Sequence, residues 1–412
     1  MREEKEPSSL PWYRLYNGKA ESVPYADIAK SLYEGDGFHK LHRQLEGELQ
    51  VVSFELAERE LLLRDSTTGG HRRIKLDFAT EGTPLSTLVA GPDGKVYGTS
   101  KHPLHFYQFD PLTELFHDYG GRPIELGGGG NIAAFAVTGS YIGGAAYAGG
   151  HFHLFDVRLP VTPDQAASPE PERANSPGPC TRNPRKVCSH AAIHRPRCAL
   201  ALSDGKHMVY GGFPGYGMVG GGLCFYDLEE DRDRLFTHEQ LIPYHSTLCL
   251  TEKSANCIIG GTSVETHGGA VPVDSTAQIY EFDWQQGVVN RSWKPLPEAR
   301  EYVWVELDET GRLHGLTSQS VYFVMEPDSG VVAARRDLSS WGFPVNGGMH
   351  RYASDRVVGV LNQSVISITL STAQVTQLDK TPEKITAGLA VLNETMYMAA
   401  GNKLLSYPLP TI

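Results

Sequence analysis

The chain has 412 residues, 40% of them hydrophobic, with 44 Gly and 26 Pro, which suits a large core of short strands and tight turns and argues against long helices. A formal net charge of −11 speaks against nucleic acid as a partner, because phosphate binding needs a basic stripe and the sequence carries none. No run of about 18 apolar residues occurs, so no membrane-spanning helix is expected, and six cysteines in this length fit free thiols better than a disulfide framework.

The N-terminus, MREEKEPSSLPWYRLYNGKA, lacks the apolar centre of a signal peptide. The chain as given is therefore expected in the cytoplasm, or outside the cell if a leader has been removed. Residues 1–42 read as an N-terminal arm with a short helix around Tyr25 to Tyr33, and 43–412 as one domain. Val51 to Arg64 predicts additional strand, and the run HRRIKLDF at His71 to Phe78 alternates as a further strand would.

From Leu85 onward one phrase recurs seven times: an apolar run, a Gly- or Asp-rich turn, a second run carrying Gly, and a third that often closes on aromatic-Asp. Clear copies are VYGTS…HFYQFDP at Val96 to Pro111, YIGGAAY…HFHLFD at Tyr141 to Asp156, VYGGFPG…LCFYD at Val209 to Asp227 and IIGGTSV…QIYEFD at Ile258 to Asp283. A repeat of short strands predicts an all-β, seven-bladed β-propeller of four-stranded antiparallel blades. Innermost strands are expected at Leu85 to Ala90, Ile132 to Val137, Cys198 to Leu202, Thr247 to Leu250, Tyr302 to Leu307, Met349 to Ala353 and Ile385 to Val391. The seventh unit runs out of chain after three strands. The ring is then expected to close with the His71 to Phe78 strand, which removes an open sheet edge.

In such a blade, the connection into the inner strand and the one between strands two and three share a face. The opposite face carries plain turns, GPDGK at Gly91, SDGK at Ser203, DETG at Asp308 and ASDR at Ala353. The near face carries His102, His105, His151, His194, His245, His267 and His350, seven of the sixteen histidines, with Asn131, Tyr147, Tyr216, Arg195, Arg300, Glu301 and Asn346. Histidine titrates near neutrality and serves as acid, base or metal ligand, so the functional site is expected on this face.

One segment breaks the repeat. Residues 158–193 form a Pro-, Ser- and Arg-rich insertion in the second blade, whose fourth strand is expected at Asn183 to Cys188. Around it stand Cys180, Cys188, His190, His194 and Cys198, all zinc-type ligands but without a tight C-x-x-C pair. Cys224, Cys249 and Cys257 fall in strands.

With GPDGKVYGTS…FYQFDP at Gly91 to Pro111 and YGGFPGYGMVGGGLCFYD at Tyr210 to Asp227, the repeats resemble the seven-bladed β-propeller polysaccharide lyases, the group of the ulvan lyases and L-rhamnose-α-1,4-D-glucuronate lyase. The resemblance covers most of residues 83–408 as blade pattern. It implies β-elimination at a uronic acid: the substrate carboxylate is neutralised, the C5 proton removed and the leaving oxygen protonated. By blade position it implies His105 and Tyr147 as the proton-transfer pair, with Arg195 and His245 gripping the carboxylate. His151, Asn131, Tyr216, Arg300 and His350 would line the substrate site. Arg197 is an acceptable substitute for Arg195. The chain departs at Ser86, where the family usually has a second histidine.

Three functions follow as expectations. The first is a monomeric lyase acting on a uronate-containing oligosaccharide or polysaccharide. The second is a non-catalytic carbohydrate-binding or protein-interaction propeller. The third is a metal-dependent lyase or hydrolase with a divalent metal in the central channel, held by His102, His105, His151 and His245.

Overall fold

The computed structural model describes residues 12–16, 19–24, 33–34, 41–42, 48–55, 59–77, 82–101, 104–120, 131–162 and 182–409. Among the described residues, regular structure is strand, apart from single 3-10 turns at Ala191–Ile193 and Ser339–Trp341. The chain divides into two compact units, Met1–Glu81 and Gly82–Ile412, so the division falls later than the expected one at residue 42.

The reason lies in how the first unit pairs. Leu49–Glu55, Glu60–Asp65 and His71–Lys75 form a three-stranded meander. Ile74 stands opposite Leu61 and Arg72 opposite Leu63. The turn between the last two strands is held by the Asp65 carboxylate, which accepts from Thr67 N–H at 2.8 Å and Thr68 N–H at 3.1 Å. A short hairpin costs less chain entropy to close than a pairing across the whole chain, and it takes up the strand expected to complete the seventh blade. The helix expected around Tyr25 to Tyr33 falls on residues outside the described ones, save Tyr33 itself, which begins a two-residue strand.

The second unit is a seven-bladed propeller. Among the described residues, six sheets have four antiparallel strands and the seventh has three. The inner strands are Leu85–Ala90, Asn131–Thr138, Arg195–Ala201, Ser246–Ser254, Tyr302–Leu307, Pro344–Ala353 and Ala387–Leu392. Each lies beside the next around the ring. Closure is by side-chain packing: Ala387, Ala390, Tyr397 and Ala399 of the seventh blade bury against Leu85, Leu88, Val96 and Tyr107 of the first. Leu85 N–H also donates to the Gly401 carbonyl at 2.7 Å.

The repeated phrase has a physical basis at each point. Glycine in the second strand makes room for the aromatic ring of the third. A Cβ at Gly98 would stand 2.6 Å from Tyr107 Cζ, and one at Gly260 2.6 Å from Tyr280 Cζ. The Asp that follows the aromatic turns the chain, since Asp110, Asp227 and Asp283 each accept a backbone N–H two or three residues on, at 2.9, 2.8 and 2.8 Å.

The insertion begins and ends in one place. Asn183 donates to the carbonyls of Asp156 at 2.9 Å and Leu159 at 3.0 Å and accepts from Asp156 N–H. The fourth strand then runs over Arg185–Ser189, close to the expected Asn183 to Cys188.

Candidate functional site

The turn after the second strand of blade 2 sets the geometry. Tyr147 ends that strand (Tyr141–Tyr147), and Gly149 and Gly150, with φ of 98° and 65°, return the chain to the third strand at His151. Gly150 is pressed against the segment entering blade 3, where a Cβ would lie 2.6 Å from the Ile193 carbonyl oxygen. Only glycine tolerates both that φ and that approach. Gly149 N–H then donates to His194 Nδ1 at 3.0 Å, fixing the histidine that precedes Arg195.

Four side chains meet there. The Tyr147 and Tyr216 oxygens are 3.2 Å apart, one from blade 2 and the other from the loop after the second strand of blade 3. The Arg195 guanidinium lies 4.3 Å over the Tyr216 ring and 5.6 Å from the Tyr147 ring centre. His194 stands edge-on to both rings, at 5.5 and 5.6 Å. Its Nε2 is buried with no hydrogen-bond partner among the described residues.

The charge pattern is unusual for so acidic a chain. Arg195 is 8% exposed and donates to the Pro214 carbonyl at 3.1 Å, yet no carboxylate among the described residues lies within ion-pair distance of it. Arg197, two residues on, sits 5.3 Å over Phe213 and donates to the Pro196 carbonyl at 2.8 Å. It too forms no ion pair there, and burial lowers its pKa, with Glu301 acting only at longer range. Glu301 instead accepts from Ser263 at 2.8 Å and lies 4.0 Å from His267, whose ring packs edge-on against Phe213. Buried charges are ordinarily paired. Here two neighbouring guanidiniums have backbone carbonyls as acceptors and no carboxylate in ion-pair contact among the described residues.

The same charges act on the phenols. Tyr216, hydrogen-bonded by Tyr147 and facing Arg195, is held below the ordinary tyrosine range. Tyr147 is raised, first by that hydrogen bond and then by burial. His194 is lowered by burial and by Arg195.

Most of the other expected site residues are engaged elsewhere. His105 Nδ1 is bonded to Asp118 at 2.9 Å within blade 1, and among the described residues no hydrogen bond joins it to Tyr147. His245 is buried, with Nδ1 2.8 Å from Thr262 Oγ1 and Nε2 3.2 Å from Asp274, so neither ring nitrogen is left to hold a substrate carboxylate. Asn131 donates to Ser86 Oγ at 2.7 Å, and Ser86 in turn to the Ile132 carbonyl at 3.0 Å. Ser86 is thus a fastener between two inner strands. Asn346 likewise donates to Thr87 Oγ1 at 2.9 Å. Arg300 is paired with Glu265. His151 is partly buried beside His194 and lowered by desolvation, then by Lys186 and His194. His350 lies in the inner strand of blade 6 and is lowered by burial.

A histidine set for a channel metal is not what the described residues assemble. His102 and Cys180 lie outside them, and His105 and His245 have the separate partners just given. The one group of His, Cys, Asp and Glu side chains there that is close enough to share an ion is Cys188, His190, Cys224 and Asp233. It keeps Cys188 and His190 of the set read around the insertion. His194 and Cys198 are excluded from it, the former by its place over the tyrosines and the latter because its buried thiol faces the Thr247 carbonyl at 3.6 Å.

Sequence patterning carries Tyr147, Arg195 and Tyr216 to one face, and the fold brings these three together. The pairing of the two phenols and the isolation of Arg197 have no signal in the sequence, because both depend on the stagger between blades.

No protein-family model matches the chain, and no curated protein matches it. Among solved structures, the β-propeller domain of Cps50 (Swd1) from Myceliophteria thermophila is similar, at 11% sequence identity and a TM-score of 0.52, over 81% of this chain and 99% of that one. At that identity the likeness establishes the propeller fold alone.

Proposed function

We propose that the propeller binds a carboxylate-bearing carbohydrate, a uronate-containing oligosaccharide, on the near face between blades 2 and 3. The observation that carries this reading is the pair of guanidiniums on buried Arg195 and half-buried Arg197, neither in ion-pair contact with a carboxylate among the described residues. Arginine offers a planar fork that matches a carboxylate. Tyr147, half-buried, and Tyr216, exposed, stand beside it as the aromatic surface against which a sugar packs. Titration calorimetry with glucuronate oligosaccharides tests it: the acid form should bind, the carboxyl-reduced neutral form should bind at least tenfold more weakly, and Arg195→Ala should remove the difference. Equal binding of the two forms by the unaltered protein would sink the reading.

A second reading, turnover at the same site, is favoured by the lowered Tyr216 phenol. With the substrate carboxylate on Arg195 and Arg197, the Tyr216 phenolate takes the C5 proton. The electron pair of that C–H bond forms the C4–C5 double bond as the C4–O bond breaks. The Tyr147 phenol gives its proton to the leaving oxygen, so the chemistry is proton transfer with no redox change. Its mark is a product with the ultraviolet absorbance of an unsaturated uronate. If binding is measured and that absorbance never rises, the propeller is a binding module.

A further inference from the structure

The geometry points to a structural zinc site made by Cys188, His190, Cys224 and Asp233, stapling blade 2 to blade 3 just ahead of the segment that enters the candidate site. Cys188 comes from the fourth strand of blade 2 (Arg185–Ser189), His190 from the residue just after it, Cys224 from the third strand of blade 3 (Gly222–Asp227) and Asp233 from the fourth (Arg232–Thr237). One ligand atom from each lies within 4.8 Å of all the others. His190 Nε2 is 2.7 Å from Asp233 Oδ2, and Cys224 Sγ is 3.8 Å from the same oxygen.

Tetrahedral zinc with bonds of about 2.0–2.3 Å sets its ligand atoms roughly 3.3–3.8 Å apart. The group therefore needs only to open one hydrogen bond and draw the thiols inward. Two thiolates, an imidazole and a carboxylate form a donor set that suits zinc and is too soft for magnesium or calcium. The Tyr210 hydroxyl lies 3.3 Å from Cys188 Sγ, placed to give its one proton to a metal-bound thiolate in place of the longer 3.4 Å bond to the Gly150 carbonyl.

The position gives the metal a task. The long insertion ends just ahead of Cys188, and the residues just after His190 are Ala191–Ile193, His194 and Arg195. His190 N–H donates to the Gly150 carbonyl at 3.3 Å. An ion here would fix the chain between the insertion and the site, on the side where Gly149 and Gly150 hold His194. This inference does not depend on what the site binds.

The test is metal analysis of the full chain, purified without chelator under reducing conditions from zinc-supplemented medium. About one zinc per chain is expected, with loss of most of it in Cys188→Ser and in the exposed-ligand variant Asp233→Ala. Chelation should lower the melting temperature of the unaltered protein, and zinc should restore it where magnesium does not. Cobalt substitution should give an intense near-ultraviolet sulfur-to-cobalt band with the visible bands of a tetrahedral site, weakened in Cys188→Ser. The inference is overturned if the folded protein, judged by circular dichroism, holds no stoichiometric transition metal and gives no such spectrum at saturating cobalt. It is equally overturned if peptide mapping finds Cys188 and Cys224 joined as a disulfide in the protein so purified.

Discussion

Tyr147 and Tyr216 face each other oxygen to oxygen at 3.2 Å across the boundary between two blades, with the Arg195 guanidinium beside both rings. Two phenols that share one hydrogen bond next to a fixed cation cannot titrate alike. One ionises early and the other late.

That inequality is measurable without a ligand. In a spectrophotometric titration one tyrosine should ionise below the ordinary tyrosine pKa of about 10. Tyr216→Phe should delete that early step, and Tyr147→Phe should move it upward by removing the hydrogen bond that favours the Tyr216 phenolate. An early step that survives both substitutions belongs to another residue, and the assignment then fails.

Arg197 offers a test of a different kind, because a desolvated charge without a partner costs stability that a bound anion would offset. Arg197→Met keeps an unbranched side chain and removes the charge, along with the guanidinium's place over the Phe213 ring. The expected result is a higher melting temperature, by about 1–2 kcal/mol of stability, together with weaker binding of a uronate oligosaccharide. A variant that is both less stable and fully able to bind contradicts the claim that the guanidinium is held for an anion.

Gly150 should tolerate no side chain. Its φ of 65° and the nearby Ile193 carbonyl make Gly150→Ala destabilising by roughly 1–3 kcal/mol. The damage should reach His194, since the adjacent Gly149 N–H holds that ring. Gly205, also at positive φ but with its nearest neighbour at 3.9 Å, provides the comparison, and its alanine variant should cost less. Equal melting temperatures for the two variants would show that the close approach does not matter.

The propeller is legible in the sequence because every blade repeats the same local contacts: a glycine under an aromatic ring, an aspartate closing a turn. Those need only neighbours within a blade, as at Gly98 and Tyr107. Closure of the ring is misplaced by the same pattern for the same reason turned round, since His71–Lys75 satisfies its edge against Glu60–Asp65 just before it. On the near face, position along a strand carries Tyr147, Arg195 and Tyr216 to one face, where they meet, but it does not show which histidines are already engaged. Asp118 sits 13 residues from His105 and Asp274 29 residues from His245, on strands and loops whose approach is a tertiary fact. Cys224 and Asp233 are likewise invisible as companions of Cys188, because their nearness is set by one blade leaning on the next.

The buried and half-buried histidines give the molecule a predictable response to acid. Burial is the first cause that lowers the pKa of His151, His194, His245, His314 and His350, so each is held neutral in the fold against an ordinary value of 6.5. In the unfolded chain these rings take up protons as the pH falls through about 6.5, while the folded chain does so only at lower pH. The unfolded state therefore binds more protons in that window, and stability falls with pH there. The partner of His245 adds a later step in the same direction. Burial works against ionisation of Asp274, but the backbone N–H groups of Ser275 and Thr276, His245 and Lys294 together hold its carboxyl at about 2, so its contribution is complete above about 4 and lost as the pH drops toward 2. Melting temperatures measured from about pH 7.5 downward should begin to decline just below about 6.5, well before carboxylates protonate. His314, which holds Tyr322 Oη at 2.6 Å and Asp308 at 3.3 Å, is among the most buried of the five, and His314→Asn should flatten the first part of the decline even though the variant starts lower. A melting temperature that stays level from pH 7.5 to 5 in the unaltered protein would mean that these rings are already charged in the fold.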